Sequence, residues 1–194
     1  MARTATISRA TRETDITATW NLDGPGETRI STGIGFLDHM LEALAKHSGT
    51  ALSVVCKGDL HVDGHHTTED VGIVLGQCLR QALGDRAGIA RFGHMACPLD
   101  EALVEAVIDI SGRPYLVYEL KPSAAQVGTW AIELVPEFFA ALADNGRICV
   151  HLHQRAGVNS HHLIEAAFKA FARALRQAIV VNGSSVPSTK GMLG

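Results

Sequence analysis

The chain has 194 residues, 46% of them apolar, and a formal net charge of −3. That length suits one domain or two small ones, and that apolar share gives a genuine core. The slight acidity gives no ground for nucleic acid or an anionic membrane as partner, and no window approaches the length of a membrane span. Cys56, Cys78, Cys97 and Cys149 are widely spaced and form no CxxC. They are expected to be buried free thiols in a reducing, cytoplasmic setting.

Residues 3–9 and 14–22 alternate as strands, and Asp23-Gly24-Pro25-Gly26 punctuates them. A helix is predicted over 36–47, with Leu37, Met40, Leu41 and Leu44 on one stripe. Strands at 50–57 and about 59–62 follow, then a helix over about 66–83 burying Val71, Val74, Leu75, Cys78 and Leu79. The second half repeats this order, with strands near 103–110 and 114–120 and a helix near 131–143. A strand near 147–154 and a long helix near 160–181 complete it. The tail, 184–194, is rich in Ser, Gly and Pro, and on composition alone it is a frayed terminus. The fold class expected is α+β, two ββαββα-like halves (about 1–92 and 93–183), each a small sheet with two helices.

The most specific signal is a motif written twice. His65-His66-Thr67-Thr68-Glu69 returns as His161-His162-Leu163-Ile164-Glu165, an offset of 161 − 65 = 96. Leu79-Arg80-Gln81-Ala82-Leu83 returns as Leu175-Arg176-Gln177-Ala178-Ile179 at the same offset, 175 − 79 = 96. Upstream, the segment holding His39 matches the one holding Glu137 at an offset of 98, so those two residues correspond. Only two copies, each half a chain long, indicate an old duplication rather than a solenoid.

On a helix, i and i+4 share a face, so His65 pairs with Glu69 and His161 with Glu165. His66 and His162 point about 100° away. Imidazoles aimed at two targets, twice over, predict two metal ions. Imidazole and carboxylate without thiolate suit zinc, manganese, iron or nickel, and the donor number favours an octahedral ion. The symmetry predicts one ion held by His65, Glu69 and His39, with His162 from the other half or another subunit, and a second by His161, Glu165 and His66, with Glu137 possible. Arg91, Arg113, Lys169 and Ser188-Thr189-Lys190-Gly191 offer charge and donors for a phosphate, if the fold gathers them. On these features alone a two-metal hydrolase of a phosphorylated substrate ranks first, and a metal-scaffolded shell protein is the non-enzymatic alternative.

The ordered motifs resemble a known family. Arg12-Glu13-Thr14, Ser31-Thr32-Gly33-Ile34-Gly35-Phe36-Leu37-Asp38-His39-Met40 and Asp63-Gly64-His65-His66-Thr67-Thr68-Glu69-Asp70 come first. Pro98-Leu99-Asp100-Glu101-Ala102, Ser111-Gly112-Arg113-Pro114-Tyr115, Gly157-Val158-Asn159-Ser160-His161-His162, Glu165 to Ala170 and Ser188-Thr189-Lys190-Gly191 follow. Together they resemble imidazoleglycerol-phosphate dehydratases, enzymes of histidine biosynthesis, over essentially the whole chain.

The resemblance implies a duplicated fold similar to the second domain of ribosomal protein S5. It also implies two manganese ions per active site, and sites built between subunits of a homo-oligomer of 24 chains. Metal ligands carry over onto His39, His65, His66, Glu69, His161, His162 and Glu165. Some members place a histidine before Phe-Phe where this chain has Glu137, a carboxylate that can also ligate manganese. Substrate contacts carry over onto Glu13, His39, Arg91, Arg113, Lys169, Ser188, Thr189 and Lys190, and catalytic roles onto Glu13, His66, Glu69 and Glu165. The expected substrate is an imidazole on a glycerol phosphate chain, dehydrated to a ketone through a metal-bound imidazolate and a diazafulvene-like intermediate. The tail would then be functional.

Overall fold

Thr14, Ile16, Ala18 and Trp20 are buried along one strand while Asp15, Thr17 and Thr19 between them are more exposed, the period-two pattern of a sheet with one dry face. We describe the protein from a computed structural model covering residues 3–24 and 26–193. Pro25 of the expected turn, and Gly194 of the tail, lie outside the described residues.

The first half runs β1 (Thr4–Ala10), β2 (Thr14–Asn21), β3 (Arg29–Ser31), α1 (Gly35–Ser48), β4 (Ala51–Gly58) and α2 (His65–Leu83). The second runs β5 (Phe92–Leu99), β6 (Ala102–Asp109), β7 (Tyr115–Glu119) and a small hairpin of β8 (Gln126–Val127) and β9 (Trp130–Ala131). It ends with α3 (Leu134–Gly146), β10 (Cys149–Ala156) and α4 (Ser160–Ala178). The sheets are ordered β1-β2-β4-β3 and β5-β6-β10-β7, the same topology twice, each with one parallel edge strand. The α+β duplication is therefore present, with four strands and two main helices in each half.

Element details differ from the sequence expectation in places with local causes. Residues 59–62 form a turn, Val62 N donating to Asp59 O, with Leu60 and Val62 exposed; the fourth strand of that half is β3 instead. A three-residue strand is too short for periodicity to reveal. β5 has no counterpart in the sequence expectation, Pro98 breaking its strand pattern; an edge strand tolerates the missing N–H. α3 begins at Leu134 because Trp130 and Ala131 are taken by the small hairpin.

The helices lie between the inner faces of the two sheets and pair across the halves, α2 on α3 and α1 on α4. α2 packs on β1, β2 and β4, while α4 packs on β5 and β6. A Cβ at Gly72 would stand 2.7 Å from Phe138 O, and one at Gly76 2.7 Å from Leu142 O, so glycine is what lets α2 and α3 cross so closely. Phe138, Phe139, Phe168 and Phe171 interlock with centroids 4.8–5.4 Å apart, all fully buried. Truncating one such ring costs roughly 3–5 kcal/mol. The buried residues of both halves form one hydrophobic cluster.

Candidate active site

Both histidine pairs stand at helix starts, and local polar residues fix those starts. Asp63 Oδ1 accepts from His65 N at 2.7 Å at the head of α2, and Asn159 Oδ1 accepts from His162 N at 3.2 Å at the head of α4.

Because α1 packs on α4, His39 meets the second motif. Glu165 Oε2 lies 3.0 Å from His161 Nε2 and 3.5 Å from His39 Nε2, and its Oε1 accepts from Lys169 Nζ at 2.6 Å. One ligand atom each from His39, His161 and Glu165 fall within 4.8 Å of one another, the one such group of three among the described residues. Burial opposes ionisation of Glu165, but Lys169, His161 and His39 outweigh it and hold the carboxyl below the usual range. This corrects the expected grouping: His39 joins His161 and Glu165, not His65 and Glu69. The sequence repeat could not show which helix of the other half α1 would contact.

The first motif is looser. His65 Nε2 lies 3.8 Å from Glu69 Oε2, both half exposed. Glu137 is exposed in the first turn of α3, the helix that packs on α2, and in the repeat it corresponds to His39 of α1, the helix that packs on α4.

The second histidine of each pair turns elsewhere, as the helical spacing requires. His66 Nδ1 lies 3.0 Å from Asp59 Oδ2, and His162 Nδ1 lies 2.7 Å from Glu101 Oε2. Each bond raises its histidine's pKa, and Glu101 is pulled down to about 2, chiefly by His162. A carboxylate on Nδ1 leaves Nε2 as the ligating nitrogen and fixes the ring. Glu13, at the turn between β1 and β2, puts Oε1 3.7 Å from His66 Nε2, and Asp100 Oδ2 lies at the same distance from His162 Nε2.

The basic residues gather at the opposite end of α4. Arg91, Arg113, Ser188, Thr189 and Lys190 line one cavity of about 380 Å³ with Ser111, Met192 and Leu193. Arg91 is clamped by Asp109, Nε to Oδ1 at 2.7 Å, and donates to Pro187 O at 2.9 Å. That contact seats the tail, as does Gly88, which accepts from Asn182 and Gly183 and donates to Ser185 O. A side chain at Gly88 would strike Gly183 O at 2.0 Å. The tail is thus stitched to residues 88–91, against its composition-only reading as frayed. Lys169 is not in this cavity; its ammonium serves Glu165.

Asp59, Glu101 and Asp109 carried no assigned role on sequence grounds, yet each orients a site residue. Glu101 lay within a family motif; nothing local marks Asp59 or Asp109. His61 sits in the 59–62 turn, and His94 and His153 pair with Glu105 and Glu119 on the second sheet.

Residues 32–175 match the family model for imidazoleglycerol-phosphate dehydratase. Imidazoleglycerol-phosphate dehydratase of Gluconobacter oxydans is 55% identical over 99% of this chain and 98% of its own. That of Synechococcus sp. WH7803 is 53% identical over 100% and 97%. Among solved structures, the Staphylococcus aureus enzyme superposes with a TM-score of 0.84 at 42% identity, covering 92% of this chain and 99% of its own. The Pyrococcus furiosus one gives 0.83 at 39%, covering 96% and 100%.

Proposed function

The chain belongs to the imidazoleglycerol-phosphate dehydratase family, hydro-lyases of histidine biosynthesis, and from that premise we propose a two-manganese dehydratase whose sites are assembled between copies of the chain. The observation that carries the metal reading is the convergence of His39, His161 and Glu165 within 4.8 Å, a mixed imidazole and carboxylate set that suits manganese. His65, Glu69 and Glu137 would hold the second ion. His66 and His162, ring-oriented by Asp59 and Glu101, would offer Nε2 to complete the sites of neighbouring copies. Bound there, the ions would act as Lewis acids on the two ring nitrogens of the substrate and fix its ring.

Distance supports assembly between chains. Arg91 N donates to Ala178 O, which places the basic cavity at the far end of α4 from Glu165. Thirteen residues at 1.5 Å put the two ends about 20 Å apart. The five bonds from the substrate's ring to its phosphorus span only about 6 Å. One chain therefore cannot supply both ends of the site. A closed homo-oligomer, with 24 chains as the expected number, would bring the cavity of one copy to the histidines of another.

In such a site Arg91, Arg113, Ser188, Thr189 and Lys190 hold the phosphate, and Arg91 is pre-aimed by Asp109 at no further ordering cost. Lys169 holds Glu165 ionised. Glu13, half exposed beside His66, is placed to move a proton as the hydroxyl leaves or as the enol forms. The free cysteines fit a cytoplasmic enzyme, and no helix among the described residues is long and apolar enough to cross a membrane.

Manganese-loaded protein should convert imidazoleglycerol phosphate to the enolisable ketone, and metal-stripped protein should not. Folded, metal-replete protein that forms no ketone would defeat the proposal. Glu13→Gln should keep its metal and its substrate affinity while kcat falls about 10²–10⁴-fold, the range for losing a general acid or base. Unimpaired turnover in that variant would remove Glu13 from the chemistry.

A further inference from the structure

A second basic cavity, of about 610 Å³, opens where α2 and α3 end, far from the histidines and separated from the phosphate cavity by the 111–113 loop. Arg80, from the last turn of α2, and Arg147, which caps α3, stand exposed at its rim, and Arg86 is buried in its wall at 6% exposure. Among the described residues none of these three guanidiniums forms an ion pair or a side-chain hydrogen bond, and Arg86 Nε is fully enclosed with no acceptor at all.

Nε itself is closed to a ligand, but the rest of this desolvated guanidinium lines the cavity without an acceptor, and a charge so placed calls for one that arrives from outside. Charge points the same way. Two helix C-termini contribute about half a negative charge each. Asp85, also in the lining, turns its Oδ1 to accept from Ala87 N. Three positive charges against these leave about one unbalanced. The neighbouring guanidiniums and burial already weaken Arg86's hold on its proton, burial most, so a bound anion would relieve both.

The geometry points to a second anion site, built by Arg80, Arg86 and Arg147, for a phosphate group distinct from the one on the substrate. Guanidinium forks match a tetrahedral oxyanion bidentately. The cavity has room for more than a bare phosphate, so the ligand is either the free ion or the monoester of a small metabolite. The site does not depend on the dehydratase reading. It shares Leu193 with the substrate-phosphate cavity and has Gly112 between Ser111 and Arg113, so its occupant also braces the tail.

Calorimetry of the intact, manganese-loaded protein with inorganic phosphate should find two phosphates per chain. Arg86→Gln should lose one of them, with affinity at that site falling at least tenfold. Because Arg86 is buried, Arg80→Gln/Arg147→Gln on the exposed rim provides a variant whose folding is not at risk and should give the same loss. Arg113→Gln should lose the other phosphate instead. Adenosine monophosphate binding at least tenfold tighter than phosphate would identify a monoester ligand, and equal affinity the free ion. A single phosphate lost in the rim variant and kept in Arg113→Gln would count against the substrate-phosphate cavity instead. Phosphate binding that the rim variant leaves wholly unchanged, whether one or two per wild-type chain, would overturn the proposal. So would a crystal structure of the assembly with an acidic side chain of a neighbouring copy filling the cavity.

Discussion

Glu165→Gln should leave the protein folded, strip manganese from the His39–His161 centre and lower kcat/KM by on the order of 10³-fold or more. The comparison is with groups one layer outside a metal, whose loss typically costs 10–100-fold. Glu165 is the shared acceptor of the cluster: His161 at 3.0 Å, His39 at 3.5 Å and Lys169 at 2.6 Å all face its two oxygens. An amide keeps the shape and removes the charge. Its NH₂ would present donors to a lysine and two imidazoles that need an acceptor, and the partly buried Lys169 ammonium would lose its counter-charge. Metal analysis by plasma mass spectrometry, beside turnover, reads the outcome. A variant that keeps two ions per chain and near-native turnover would show that the convergence of these side chains is an ordinary surface ion-pair network.

Mixing two dead variants should restore activity. Glu165→Gln damages the histidine end of α4, and Arg113→Ala damages the phosphate cavity at its other end. If one site uses the histidine end of one chain and the cavity of another, co-assembled chains form some sites from two intact halves. With equal, random mixing and two chains per site, about a quarter of sites recover, against nearly none in either parent. The chains must be refolded or co-expressed together, since assembled shells do not exchange freely. Recovery of nothing beyond the parental levels would mean that both ends of the site come from a single chain. That outcome would contradict the 20 Å separation along α4.

The duplication, the α+β class and the imidazole and carboxylate residues that stand at the heads of α2 and α4 were all legible in the chain. Periodicity fixed α1, α2 and α4 to within a few residues, because each shows an apolar stripe with polar positions opposite it. What escaped were elements too short or too irregular to show a period: β3 with three residues, β5 with Pro98, and the Trp130–Ala131 hairpin. The same limit hid Asp59 and Asp109, single carboxylates whose value lies wholly in what they face.

Spacing alone determined that His65 shares a face with Glu69 and His161 with Glu165, and that His66 and His162 look elsewhere, because helical pitch is a local property. It also determined that His39 and Glu137 occupy equivalent positions. Only the tertiary structure decided that His39 lies beside the second motif, that Lys169 pairs with Glu165, and that the basic cavity lies at the other end of α4. Those facts depend on α1 packing on α4 and on the tail being tied to residues 88–91. Contacts between elements far apart in the chain follow from burying both halves in one core, and no short-range pattern records them.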